Sequence, residues 1–172
     1  MTTDFRSFLK RKLKVRTLNN KLLVGWQEWC ALSQHGLPAL KAKIDTGAKT
    51  SALHAHHIEP FKRLHQDYVR FIVHPLQNTT DHPKICTAEV IDQRYVMSSN
   101  GHREWRYVIQ TPLTLGADTW NIELTLSNRD PLTFRLLLGR EALNGRVLIN
   151  PKAKLCQGRL LQSALQTLYP TH

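Results

Sequence analysis

Lys43-Ile44-Asp45-Thr46-Gly47-Ala48 is the stretch on which the reading of the chain turns. The residues leading into it, Ala39 to Ile44, alternate apolar and polar side chains, the period of a strand with one buried face. The run ends on a carboxylate, and a hydroxyl and a glycine follow at once. That order suits a tight loop. The glycine admits a close backbone approach or a positive φ, and short polar side chains bond nearby backbone. A strand running into such a loop holds one carboxylate rigidly, its oxygens turned toward a cleft. The bare triplet is also compatible with an ordinary strand exit, so its context decides.

Near the other end of the chain, Leu136-Leu137-Leu138 runs into Gly139-Arg140 and then Glu141-Ala142-Leu143. This is an apolar strand, a Gly-Arg step and a turn or so of helix. Between the two signatures lies Ser98-Ser99-Asn100-Gly101, with strand-like flanks at Arg94–Met97 and Trp105–Gln110. Asn-Gly favours the primed turns that match strand twist, so a hairpin is expected there.

Asp45-Thr46-Gly47-Ala48 with Leu138-Gly139-Arg140 resembles the paired signatures of retropepsin-type aspartic peptidases. The resemblance is closest to a bacterial group labelled ATP-dependent zinc proteases or RimK-associated proteins. It rests on Val24-Gly25-Trp26, on Lys41 through Ala55, on Val73-His74-Pro75-Leu76, on Ser98 through Gly101, on Leu124 through Asp130 and on Leu137 through Arg140. It implies a mostly-β closed barrel of the acid-protease type, with Asp45 as the catalytic residue. Thr46 would brace paired loops, Gly47 would offer backbone close to substrate, Ala48 would complete the active-site loop, and the Asn100-Gly101 hairpin would be a flap. The group's name also implies a partner, an ATP-using ligase that adds glutamates to proteins.

Aspartic proteolysis needs two carboxylates sharing one proton, one acting as base on a water while the other donates to the carbonyl. The chain holds a single Asp-Thr-Gly, since Asp118-Thr119-Trp120 lacks the glycine. One active loop per chain implies a symmetric homodimer. Retroviral enzymes of the resembled type carry an acid four residues after the catalytic aspartate, which pairs with the arginine of the second signature. Here that position is Lys49, so Arg140 is expected to pair with Glu141, Glu28 or a backbone carbonyl. A lysine there suits an acidic peptide or protein substrate.

At 172 residues and 41% hydrophobic the chain is long enough for one domain with a sizeable core. Many short strands with frequent turns point to a β barrel or sandwich, and apolar positions 161, 164, 165 and 168 predict one short C-terminal helix. No apolar run approaches the roughly 20 residues of a membrane span. The basic N-terminus lacks the apolar core of a signal peptide. Cys30, Cys86 and Cys156 are odd in number and widely spaced, which fits a reducing, cytoplasmic setting.

The net charge of +11 is uneven: residues 1–21 carry +6 of it. The expected organisation is a basic arm, 1–21, followed by the domain, 22–172. The arm is expected to meet an acidic partner or RNA, and not to contribute to folding. Phe5, Phe8, Leu9 and Leu13 nonetheless mark one side of a short helix.

Zinc is the rival chemistry. His54 and His56 share a strand face while His57 points away. There is no His-Glu-x-x-His, no paired cysteine spacing and no phosphate-binding glycine loop, so no metal or cofactor is expected. The first reading is therefore a homodimeric aspartic endopeptidase. The second is a non-catalytic module of the same fold, regulating a glutamate ligase or binding a ribosomal partner. A zinc-dependent peptidase comes third.

Overall fold

The computed structural model describes residues 4–10, 17–98, 100–128 and 133–171. Its strands are β1 (Thr17–Leu18), β2 (Lys21–Val24), β3 (Gln27–Leu32), β4 (Leu37–Ile44), β5 (Ser51–His54), β6 (His56–Arg63), β7 (Gln66–Val73), β8 (Lys84–Glu89), β9 (Asp92–Met97), β10 (Arg103–Leu115), β11 (Asp118–Ser127) and β12 (Leu136–Leu138). A single helical turn, α1 (Arg140–Leu143), then leads to β13 (Val147–Ile149), and α2 (Gln162–Leu168) lies near the C-terminus.

Six strands close a barrel, in the order β10, β11, β5, β12, β4, β3 and back to β10. The alternation read in Ala39–Ile44 sets the inside: Leu40, Ala42 and Ile44 join Leu53, Leu124, Leu126, Leu136 and Leu138 in one core. β12 lies between β4, which it parallels, and β5, which it opposes. That insertion carries the second signature to the loop that follows β4. The first half of β10 outruns the barrel and pairs with β9, forming a hairpin. The sheet β6-β7-β8 packs Val69, Phe71 and Val73 into the same core.

The expected mostly-β closed barrel and C-terminal helix are both present. Residues 85–95 fall in two strands of different sheets: β8 pairs with β7, and β9 with β10. The exchange occurs at Val90 and Ile91, whose N–H groups donate to Asp67 O and Val108 O.

The N-terminal segment corrects an expectation. Residues 5–8 form a 3-10 turn capped by Asp4, and Phe5 and Leu9 are buried. They pack with Trp29, Ala31, Ala39, Leu168 and Tyr169 in a second cluster. Tyr169 seals it, its hydroxyl donating to Ala39 O at 2.6 Å and accepting from Ala39 N–H at 3.1 Å. The apolar side of the arm thus outweighs its charge, and residues 5–9 belong to the folded body. Lys12, Leu13, Lys14 and Arg16 lie outside the described residues, as does Ser99. No helix among the described residues is long and apolar enough to cross a membrane.

Candidate active site

β4 delivers Asp45 at its C-terminal end, and the polar triplet folds back on itself. Gly47 N–H donates to Asp45 Oδ1 at 3.0 Å, and Ala48 N–H to Asp45 O at 3.3 Å. The first contact is an Asx-type turn that fixes one carboxylate oxygen. A Cβ on Gly47 would lie 3.1 Å from that oxygen, so the glycine keeps the turn tight. Asp45 and Ala48 are half-buried, while Thr46 and Gly47 are exposed.

The second signature clamps this loop along its length. Asp45 N–H donates to Leu138 O at 2.9 Å, Arg140 N–H to Ala48 O at 2.8 Å and Glu141 N–H to Lys49 O at 3.1 Å. Gly139 N–H donates to the buried Ser51 Oγ at 3.1 Å. A Cβ on Gly139 would stand 2.6 Å from Thr50 O and 2.9 Å from Ala48 O, so only glycine lets the two segments approach this closely. Asp45, Thr46, Gly47, Ala48, Gly139 and Arg140 are therefore brought together.

Of the three partners expected for Arg140, the backbone carbonyls are the ones it takes. Its Nη1 donates to Thr46 O at 2.8 Å and Gly47 O at 3.2 Å. Glu141 faces Lys49 instead, at 3.7 Å between exposed groups. Glu28 lies buried elsewhere, accepting from the N–H groups of Gly25, Cys156 and Gln157. Beside Thr46 runs a groove of about 640 Å³, lined by Lys21, Lys49, Arg140, Leu143 and Ile149 among others. Its wall includes β13, an end strand of the sheet β1-β2-β13.

Asn100 and Gly101 sit at the tip of the β9–β10 hairpin. Gly101 has φ +82°, and its N–H closes the turn on Ser98 O at 2.9 Å. The hairpin's outer face exposes Tyr95, Met97 and Trp105. Its other face holds Arg106, buried against Glu104 at 2.7 Å and donating to Thr125 Oγ1. Thr125 in turn bonds Ser51 O at 2.9 Å. This polar strip was not read from the sequence; its one signal is the alternation Glu104-x-Arg106 on a single strand face.

His54 and His56 do meet, with Nε2 atoms 2.9 Å apart, and the His56 ring packs against His74. His57 has a positive φ of 49°. Among the described residues, no group of three or more His, Cys, Asp or Glu side chains is arranged to hold a metal ion.

Known proteins are similar to this chain. Probable alpha-L-glutamate ligases of Shewanella pealeana and Parasynechococcus marenigrum are 44% and 47% identical to the chain over 151 and 152 residues. Each match covers 88% of this chain and 33% of the ligase, so the chain spans about a third of the length of these curated relatives. A solved structure, the protein Lpg0085 of unknown function from Legionella pneumophila, superposes with a TM-score of 0.66 at 27% identity, covering 78% of this chain and 97% of that one. Residues 23–159 match the RimB-like family, described as the retropepsin-like aspartic endopeptidase RimB, and the chain belongs to that family.

Proposed function

We propose that two copies of this chain form a symmetric aspartic endopeptidase, each giving one Asp45 to a shared site. The observation that carries this reading is the clamped loop. Asp45 is half-buried, one of its oxygens is fixed by Gly47 N–H, and Leu138–Glu141 hold the backbone around it. Catalytic groups are useful when held before substrate arrives. Exposed Thr46 and the groove beside β13 support a second copy at this face.

In the dimer, one carboxylate of the pair is ionised and the other protonated, because like charges that close do not both ionise. The ionised carboxylate takes a proton from a water lying between them. The water oxygen attacks the peptide carbonyl carbon, and the protonated carboxyl gives its proton to the carbonyl oxygen. The tetrahedral diol then collapses, a proton passes to the leaving nitrogen, and the C–N bond breaks. Arg140 keeps the Thr46 and Gly47 carbonyls in place throughout.

The substrate is an acidic peptide or protein segment. Lys49 in place of the usual acid supports this, as does similarity to ligases named for glutamate. The three free, buried cysteines support a reducing, cytoplasmic setting. The remaining basic groups of residues 1–21 are assigned to an acidic partner. A second reading is favoured by one observation, the match of a similar sequence to a third of longer proteins named probable glutamate ligases: the same fold regulates a ligase without cleaving anything. Asp45→Asn separates the two. Under the first reading it abolishes peptide cleavage and leaves folding intact; under the second it leaves ligase regulation unchanged.

A further inference from the structure

Strand register extends the site beyond Asp45. On β4, Leu40, Ala42 and Ile44 enter the core, so Lys41 and Lys43 point to the opposite face. Lys43 is in register with Leu137 of β12, Leu137 with Ala52 of β5, and Ala52 with Thr125 of β11. Residues in register share a face, so Lys43, Leu137, Ala52 and Thr125 form one continuous strip across four strands. Leu137 and Ala52 are half-buried and Lys43 is exposed. Asp45 follows Lys43 by two residues, about 7 Å along an extended chain. The row continues past Lys43 to Gln27 of β3, and its accessible part is Leu137 and Ala52 with the Lys43 side chain, which lies beside the carboxylate.

Several neighbouring cations already have partners. Arg140 is spent on two carbonyls, Lys49 faces Glu141, and Arg106 is paired with Glu104. Lys41 lies over the Trp29 ring at 5.0 Å. Lys43 has no ion pair among the described residues. A lysine held on a rigid strand without a counter-charge, next to an apolar floor, is suited to a carboxylate brought by a ligand.

We infer that Lys43 is the specificity-determining residue of the site: it receives the carboxylate of an aspartate or glutamate side chain close to the scissile bond. The inference rests on the endopeptidase reading for the cleavage step, and on the strip alone for binding.

The test uses the full chain and internally quenched peptides that differ only by Glu, Gln or Lys at one position, scanned along the peptide. The wild type is expected to prefer Glu over Gln at one position by about tenfold in kcat/KM. Lys43→Gln brings that ratio close to one, and Lys43→Glu inverts it in favour of Lys. Lys62→Gln, on exposed β6, leaves it unchanged and controls for net charge. A second arm uses Asp45→Asn protein and fluorescein-labelled hexaglutamate, where adding Lys43→Gln raises Kd about tenfold. Melting temperatures confirm that the variants fold. An unchanged Glu:Gln ratio in both Lys43 variants, an unchanged hexaglutamate Kd on adding Lys43→Gln, or a wild type that cleaves the Glu and Gln peptides equally at every position would overturn the inference. Cleavage that survives Asp45→Asn would sink the endopeptidase reading instead, and the binding arm still judges Lys43.

Discussion

Asp45 and Glu28 are two carboxylates on adjoining strands of one barrel, and they are treated in opposite ways. Glu28 is fully buried and accepts from three backbone N–H groups, those of Gly25, Cys156 and Gln157. It ties the start of the barrel to residues far along the chain. Asp45 is half-buried, and Gly47 N–H satisfies one of its oxygens. A buried carboxylate with both oxygens hydrogen-bonded holds a fold. A carboxylate that is fixed in position and still open to solvent is available to react.

The largest effect should fall on turnover and separate the two sites. Asp45→Asn is expected to lower kcat by roughly three to four orders of magnitude. Its stability should stay within about 0.5 kcal/mol of wild type, as for other substitutions outside buried networks. Glu28→Ala should do the reverse. It leaves three buried N–H groups without an acceptor, and about 3–5 kcal/mol of stability should be lost in denaturant unfolding. Turnover per folded molecule should hold. If Glu28→Ala proved harmless, the contrast between the two carboxylates would fail.

Gly139→Ala should affect both quantities. The new Cβ meets the Thr50 and Ala48 carbonyls, so the Asp45 loop must shift. About 1–3 kcal/mol of destabilisation is expected, with a fall in kcat larger than any change in KM.

The smallest effect is a pH dependence. Burial pushes the Glu28 carboxyl above the ordinary 4.5, and the three backbone donors only partly oppose it. The folded state then binds this proton more tightly than the unfolded chain. Its contribution is fully present below 4.5 and is lost as pH rises through the raised value. Unfolding followed from pH 4 upward should show this decline in the wild type and not in Glu28→Gln. Equal slopes for the two proteins would remove the assignment.

The same contrast explains what was legible in the sequence. Asp45 announces itself because a reactive loop is local: strand, carboxylate, hydroxyl and glycine are contiguous. Gly139-Arg140 is local too, and the two signatures together carry the fold. Glu28 and Tyr169 have no local signal, because their partners lie far away in the chain, at Cys156 and Gln157 and at Ala39. The N-terminal arm was misjudged for a related reason. Its charge is visible in composition, whereas the burial of Phe5 and Leu9 depends on Leu168 and Tyr169 at the other end. Lys49 announced a departure, but which carbonyls Arg140 takes is decided by β12 threading between β4 and β5.

The central claim is that chemistry needs one Asp45 from each of two chains. The direct measurement is turnover of a cleaved peptide after wild-type protein is mixed with an equal amount of Asp45→Asn protein, once subunit exchange has been verified by mass spectrometry. If both carboxylates are required, random exchange leaves half of the wild-type chains in inactive heterodimers, and activity should fall to about half of its value before exchange. Full activity retained after complete exchange would mean that each Asp45 works without its counterpart, and would contradict the account.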